Sequence, residues 1–339
     1  MPDAKFSVSF AGPLVTLQDA GRPGNMRYGV AASGPMDRLA FDAAHAALGN
    51  SVAGTAIEVS LGGVILNCTS GAVTLAVTGG DFVVEHGGQK RGSWTVLTVS
   101  EGDRLTIRAG RAGSWAYLAF AGDLLAQSWL GSHATHAPAG FGGGAVLSGR
   151  SIEVKNAALR EDRLGDIPQP EFTPDGPIRV VTGPQDRYFA EGAVDRFLSA
   201  PYAVTDAFDR MGMRLDGPEL DLKAALSIPS EPIARGSVQV SGDGVPTVLL
   251  SDHQTTGGYP KIATVISCDT DRLAQLRAKD KLRFAAVSSE QAVATCRTYL
   301  ENKQAYLDHI AIARGTLEQR LMRENLISGW SEEDMSAAT

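Results

Sequence analysis

The chain has 339 residues, 43% of them hydrophobic and 20% charged, enough for about two domains around a substantial buried core. A net charge of −7 disfavours a nucleic-acid or anionic-membrane surface, and no apolar run approaches the roughly 20 residues that cross a bilayer. Three widely spaced cysteines, Cys68, Cys268 and Cys296, argue against a disulfide framework or a zinc cluster, so a reduced, cytoplasmic protein is expected.

Phe6, Val8 and Phe10 alternate as a first strand does, and the N-terminus lacks the continuous apolar core of a signal peptide. A strand ending near Leu17 runs into a glycine-rich loop carrying Gln18, Asp19 and Arg22. A helix is expected from about Ser33, read as its N-cap, to Leu48, with Gly49-Asn50 as its stop. From Ala56 to Phe120 short apolar runs separated by glycine pairs predict seven strands, the pattern of a barrel or sandwich. His133 and His136 follow in a loop-rich stretch without a third suitable ligand nearby, so no metal is expected.

Four prolines among charges over 161–178 mark the best domain boundary: a first β subdomain over 1–160, a linker, a second over 179–288, and a helical tail over 289–339 with a disordered end. The two halves echo one another. Arg27-x-Gly29 with Gly34-Pro35 matches Arg210-x-Gly212 with Gly217-Pro218, Gln18-Asp19 matches Gln185-Asp186, and Glu58 matches Glu231. Duplicated β domains would create an internal cleft, a usual place for a small-molecule site.

The stretch richest in chemistry is Ser251 to Val265, SDHQTTGGYPKIATV, set between two strand-like runs. Asp252, Gln254, Thr255, Thr256, Gly257, Gly258, Tyr259 and Lys261 supply a carboxylate, an amide, three hydroxyls, a cation and close-approach glycines within ten residues. Such equipment suits a small polar ligand. Asp252 or Asp209 is a candidate base, Lys261 a candidate stabiliser of negative charge on oxygen, and Tyr259 a third candidate catalytic group. Arg210, Arg214 and Gln239 are candidate binding residues nearby, with Gln18, Asp19 and Arg22 as a secondary set. Structural alternatives remain open: ion pairs of Arg210 and Arg214 with Asp209, Asp216 or Glu219, and a loop-locking pair between Asp19 and Arg22.

Several long motifs in order, QDAGRPGNMRYGV, SGPMDRLAFDAAHAALGN, DRMGMRLDGPEL, SEPIARGSVQV and SDHQTTGGYPKIATVISCDTDRLAQL, make residues 10–288 resemble the allophanate hydrolase subunit two family. That family includes KipA and the C subunit of bacterial 5-oxoprolinase, and is similar to the second part of the urea carboxylase carboxyltransferase region. The resemblance implies a mainly β fold of two cyclophilin-like β-barrel subdomains with few helices. It implies a KipI-like partner (corresponding to the B subunit of 5-oxoprolinase), with a LamB/YcsF-like subunit as a further component. Three activities are consistent with it: ATP-dependent opening of 5-oxoproline to glutamate, carboxyl transfer from carboxybiotin to urea or a similar amide, and a non-enzymatic KipA-like role in binding a KipI-like protein. The first best suits a free-standing subunit, with ATP used by the complex and little turnover by the chain alone. No Met-Lys-Met biotinylation site is present, so no covalent biotin is expected on this chain. His45, the run Leu130–His136 and Arg150-Ser151 depart from the family pattern, which leaves the chemistry of the loop around His133 open.

Overall fold

A computed structural model describes residues 3–51, 54–223 and 228–323. Strands dominate. All seven strands expected between Ala56 and Phe120 are present, the second running three residues past Asn67 to Ser70, and an eighth, the polar hairpin strand Gln89–Gly92, was not expected because it carries no apolar run. The first subdomain is built from a seven-stranded and a six-stranded sheet, both almost wholly antiparallel. Its first strand, Ala4–Ala11, pairs with Val64–Ser70 on one side and Ser151–Lys155 on the other, so residues from both ends of the subdomain close the sheet. An eight-stranded sheet over Ile178–Ala286 forms the second, nearly closed barrel. A mainly β fold of two barrel-like subdomains is therefore what the chain adopts.

The linker stretch is less independent than its prolines suggest. Gly165–Asp166 pairs with Thr95-Val96, and the Ile167 N–H donates to the Trp94 carbonyl, so the first subdomain's sheet extends through Asp166.

The first helix runs over Arg38–Leu48 and starts later than expected. Ser33 sits at φ 54° in the left-handed region and is not the cap. Asp37 is: its Oδ1 accepts the Ala40 N–H at 2.9 Å, and Gly49 in the left-handed conformation ends the helix. Alanines 40, 43, 44 and 47 are buried, and the small face lets the helix lie close on strands Ala72–Gly79 and Trp115–Phe120. The C-terminal pattern, expected as one helix to about Leu326, is a helix over Ser289–Ile310 and a short one over Leu317–Arg323, with Gly315 at φ 84° between them. The expected disordered end, 331–339, lies outside the described residues. A full capping box, Ser288 with Gln291, starts the long helix. Lys303 then fixes it to the first helix through Asp42 at 2.6 Å.

One apolar core runs through both subdomains. Around it lies a polar joint. Arg38 pairs with Asp271 at 2.9 Å, Arg235 donates to the Pro35 carbonyl at 3.0 Å, and Gln275 bridges Asp37 to the Ser114 and Trp115 N–H groups. These contacts hold the second barrel in one orientation on the first.

Candidate functional site

The expected site residues separate into two groups. Arg210 and Asp252 face the joint; Arg214, Gln239, Gln254 and Tyr259 face a cleft.

Arg210 is 1% exposed. Its Nε and Nη2 donate to the two Asp252 oxygens, both at 2.9 Å, while Nη1 pairs with Glu58 and Nη2 also donates to the Gly34 carbonyl. The other Glu58 oxygen accepts the Met36 N–H and the Tyr117 hydroxyl, each at 2.8 Å. Burial disfavours the charge on Arg210, but Asp252 and Glu58 offset it and raise its pKa above the ordinary value. Burial likewise works against the Asp252 carboxylate, and Arg210 reverses the balance and holds its pKa below the usual value. A carboxylate bound on both oxygens in a sealed ion pair is a poor proton acceptor. Asp252 and Arg210 are thus removed from the ligand-contacting set: they join the subdomains, and Asp252 further accepts the Ala137 N–H at 3.1 Å. Sequence reasoning noted Glu58 only as an echo of Glu231 and missed this role, since nothing local pairs it with a residue 152 positions away.

The secondary set is structural in a different way from that expected. Asp19 forms no ion pair with Arg22 among the described residues. Instead its oxygens accept from Ser132 Oγ at 2.6 Å and from the N–H groups of Gly21, His133 and Ala134, which pins the 132–134 loop. Arg22 donates to the Ala134 carbonyl and lies over the Trp129 ring at 5.1 Å. Gln18 is fully buried and donates to Thr16 Oγ1 and the Thr135 carbonyl. Among the described residues no cluster of three or more metal-ligating side chains occurs. The repeat also diverges in use: Arg27 is exposed where its match Arg210 is sealed. Arg214 pairs with Asp243, not with the nearer acids, and Asp209 accepts the Met211 and Gly212 N–H groups, which fixes its turn.

The cleft has a volume of about 490 Å³ and is lined by Arg214, Gln239, Gln254 and Tyr259, with Met211 and Leu249 as apolar wall. Gln239 on strand Ser237–Val240 stands opposite Lys261 on strand Lys261–Val265, so neighbouring strands bring these two residues together. The Gln254 Nε2 donates to Gln239 Oε1 at 3.2 Å, which fixes the Gln239 amide and leaves its buried Nε2 without a protein acceptor. Lys261 is 4% exposed, and its ammonium also lacks a hydrogen-bond partner, the nearest acid being Glu231 at 3.9 Å. Gln185 organises this corner, accepting the Lys261 N–H at 2.9 Å and donating to Glu231 at 2.5 Å. Gln239 lines the cleft and Lys261 does not: its ammonium is sealed on the paired strand, so it is the unpaired Gln239 amide that marks a place for an acceptor oxygen at the cleft.

Thr256–Gly257 pairs with Glu231–Pro232 as a short ribbon over this corner; Thr256 is exposed and Tyr259 is 46% exposed. Thr255 closes the ribbon through its carbonyl, which accepts the Ile233 N–H, and the Gly258 carbonyl accepts that of Ile228. A Cβ at 257 would meet Ile233 Cδ1 at 2.5 Å and Gln239 Nε2 at 2.8 Å, both side-chain ends that would have to shift to admit it. Gly257→Ala should therefore displace the Gln239 amide and cost about 1 kcal/mol of stability, read by denaturant titration.

Fold and cleft together define a paired β-barrel protein with amide and cationic side chains along one open cleft. The chain belongs to the carboxyltransferase domain family, whose model for subdomains A and B matches residues 28–286. It is 33% identical over 298 residues to the C subunit of 5-oxoprolinase from Haemophilus influenzae, covering 87% of this chain and 94% of that one. It is 30% identical to the C subunit of 5-oxoprolinase from Escherichia coli, covering 89% and 96%. Among solved structures, TTHA0988 matches with a TM-score of 0.73 and 31% identity over 83% of this chain, which spans 55% of that protein. Kluyveromyces lactis urea carboxylase shares the fold, with a TM-score of 0.79 and 24% identity over 92% of this chain and 30% of that one.

Proposed function

We propose that the chain is the C-type component of an ATP-dependent 5-oxoprolinase, which opens a cyclic amide to glutamate with a KipI-like and a LamB/YcsF-like subunit. The observation that carries this reading is similarity along almost the whole length of two proteins named as that component. The cleft supports it chemically. Opening a cyclic amide places negative charge on the carbonyl oxygen; Gln239 lines the cleft, and its Nε2 and the buried Lys261 ammonium on the paired strand both lack a hydrogen-bond acceptor. Arg214 suits the substrate carboxylate and Tyr259 covers the ring, while Gln254, Thr255, Thr256, Gly257 and Gly258 shape the rim. ATP enters as a co-substrate of the assembled complex, and no residue of this chain is assigned to it. The reading makes this a cytoplasmic protein; among the described residues no helix is long and apolar enough to cross a membrane.

A second reading, the carboxyltransferase half of a biotin-dependent amide carboxylase, is favoured by the family's own description. It too handles a carbonyl next to an N–H. Co-purification with the KipI-like and LamB/YcsF-like subunits, followed by an assay of glutamate release from 5-oxoproline, separates the two. We expect ATP-dependent release only from the assembled complex. Carboxylation of an amide by carboxybiotin without glutamate release would select the second reading, and turnover by the isolated chain would contradict both.

A further inference from the structure

The long C-terminal helix meets the second barrel at a small apolar cluster separate from the main core, in which Ile266, Cys268 and Ala292 are buried and Cys296 and Tyr299 pack against them. Ala292, Cys296 and Tyr299 are spaced four and three residues apart, so they share one helix face. Cys268 lies in the 3-10 turn Ser267–Asp269. That turn is firmly held, since fully buried Asp269 binds Arg179 at 2.5 Å and Arg272 at 2.9 Å. The two sulfur atoms are 3.4 Å apart across the junction. A cleft of about 550 Å³, lined by Cys268 and Tyr299, opens beside them and gives small thiol reagents a way in.

We propose that Cys268 and Cys296 form a reversible disulfide site that fastens the C-terminal helix to the second barrel. The bond requires the sulfurs to close to about 2.05 Å, a small movement of one half-exposed helical side chain toward a fixed turn. The thiols differ as attacking and resolving partners should. Burial works against the Cys296 thiolate, but hydrogen bonds from Ser267 and Cys268 outweigh it and lower its pKa, whereas burial pushes Cys268 up to about 12. With a low-molecular-weight disulfide RSSR as oxidant, the Cys296 thiolate attacks one sulfur and releases one RS⁻. Cys268 then gives up its proton and attacks Cys296 Sγ, releasing the second RS⁻. Two protein thiols are oxidised to one disulfide, RSSR is reduced to two RSH, and the two protein protons end on the released thiols. The bridge spans 28 positions, enough for loop closure to restrict the unfolded chain appreciably.

The test treats the native full chain with oxidised glutathione, quenches in acid, and alkylates in denaturant before mass spectrometry. Of the three cysteines, only Cys68 should then be alkylated, with a peptide joining Cys268 to Cys296 that dithiothreitol separates. Tm should rise by roughly 3–8 °C on oxidation. Cys296→Ser, a change at a half-exposed helical position, should fold as the wild type does and show neither the bridge nor the rise. A persistent glutathione adduct on Cys296, a bridge to Cys68, three alkylated thiols, or a bridge without any rise in Tm would each overturn the proposal. None of these readouts depends on the enzymatic activity.

Discussion

Replacing Arg210 by Met should destabilise the folded chain by about 3–5 kcal/mol and lower Tm by roughly 5–10 °C, the largest loss expected from any single polar substitution here. The reason is what the substitution leaves behind. Asp252 and Glu58 are both 1% exposed or less, and Arg210 is the cation that compensates them. A methionine of similar reach fills the volume but leaves two carboxylates without a cation in a dry joint. Asp252→Asn should fail more mildly, because a neutral amide can still accept from Arg210 and Ala137 while Glu58 keeps the guanidinium paired. The pH dependence has a definite sign. The folded pKa of Asp252 lies below the ordinary carboxylate value, so its contribution is fully present above that value and is lost as pH falls through the lowered folded one. The difference between wild type and Arg210→Met, measured by urea titration at neutral and acid pH, should therefore shrink in acid. A loss under about 1 kcal/mol at neutral pH would remove the sealed network as the bond between the subdomains.

Lys261→Met should reduce turnover of the assembled complex by about 100- to 1,000-fold with little loss of stability. Both effects have one cause. A buried ammonium without a hydrogen-bond partner contributes little to the resting fold, and its nearest acid, Glu231 at 3.9 Å, is engaged by Gln185. Methionine occupies nearly the same space without a charge, so the free chain should fold normally. On the proposed reading substrate supplies the acceptor the ammonium lacks, so its removal should lower kcat more than it raises KM. Comparing the two constants with a thermal scan of the same preparation checks both effects. Activity within threefold of wild type would exclude Lys261 from the reaction.

Much of the architecture follows from local pattern. Short β-branched runs between glycine pairs have one way to bury a face, so the barrel class and seven of the strands from Ala56 to Phe120 were legible, while the polar strand Gln89–Gly92 was not. The start of the first helix was misread because Ser33 has a good capping side chain but a left-handed backbone, which Gly34-Pro35 beside it conceals in the sequence. The polar loop Gln254–Lys261 was also legible as a place rich in donors, and three residues read as binding, Arg214, Gln239 and Gln254, line one cleft with the catalytic candidate Tyr259.

The division of that loop's chemistry was decided elsewhere. Asp252 and Lys261 lie nine positions apart on the two flanks of one loop and look equivalent as candidate catalytic groups. Strand geometry turns one carboxylate inward to a guanidinium from another turn, and leaves the ammonium of the other buried without a hydrogen-bond partner, 3.9 Å from Glu231. Sequence by itself determined which residue types were available, how the chain alternates, and which family it belongs to. Only tertiary structure decided which charges are neutralised and which stay unpaired, because a charge's worth depends on what lies within a few ångströms of it, and those neighbours come from distant parts of the chain.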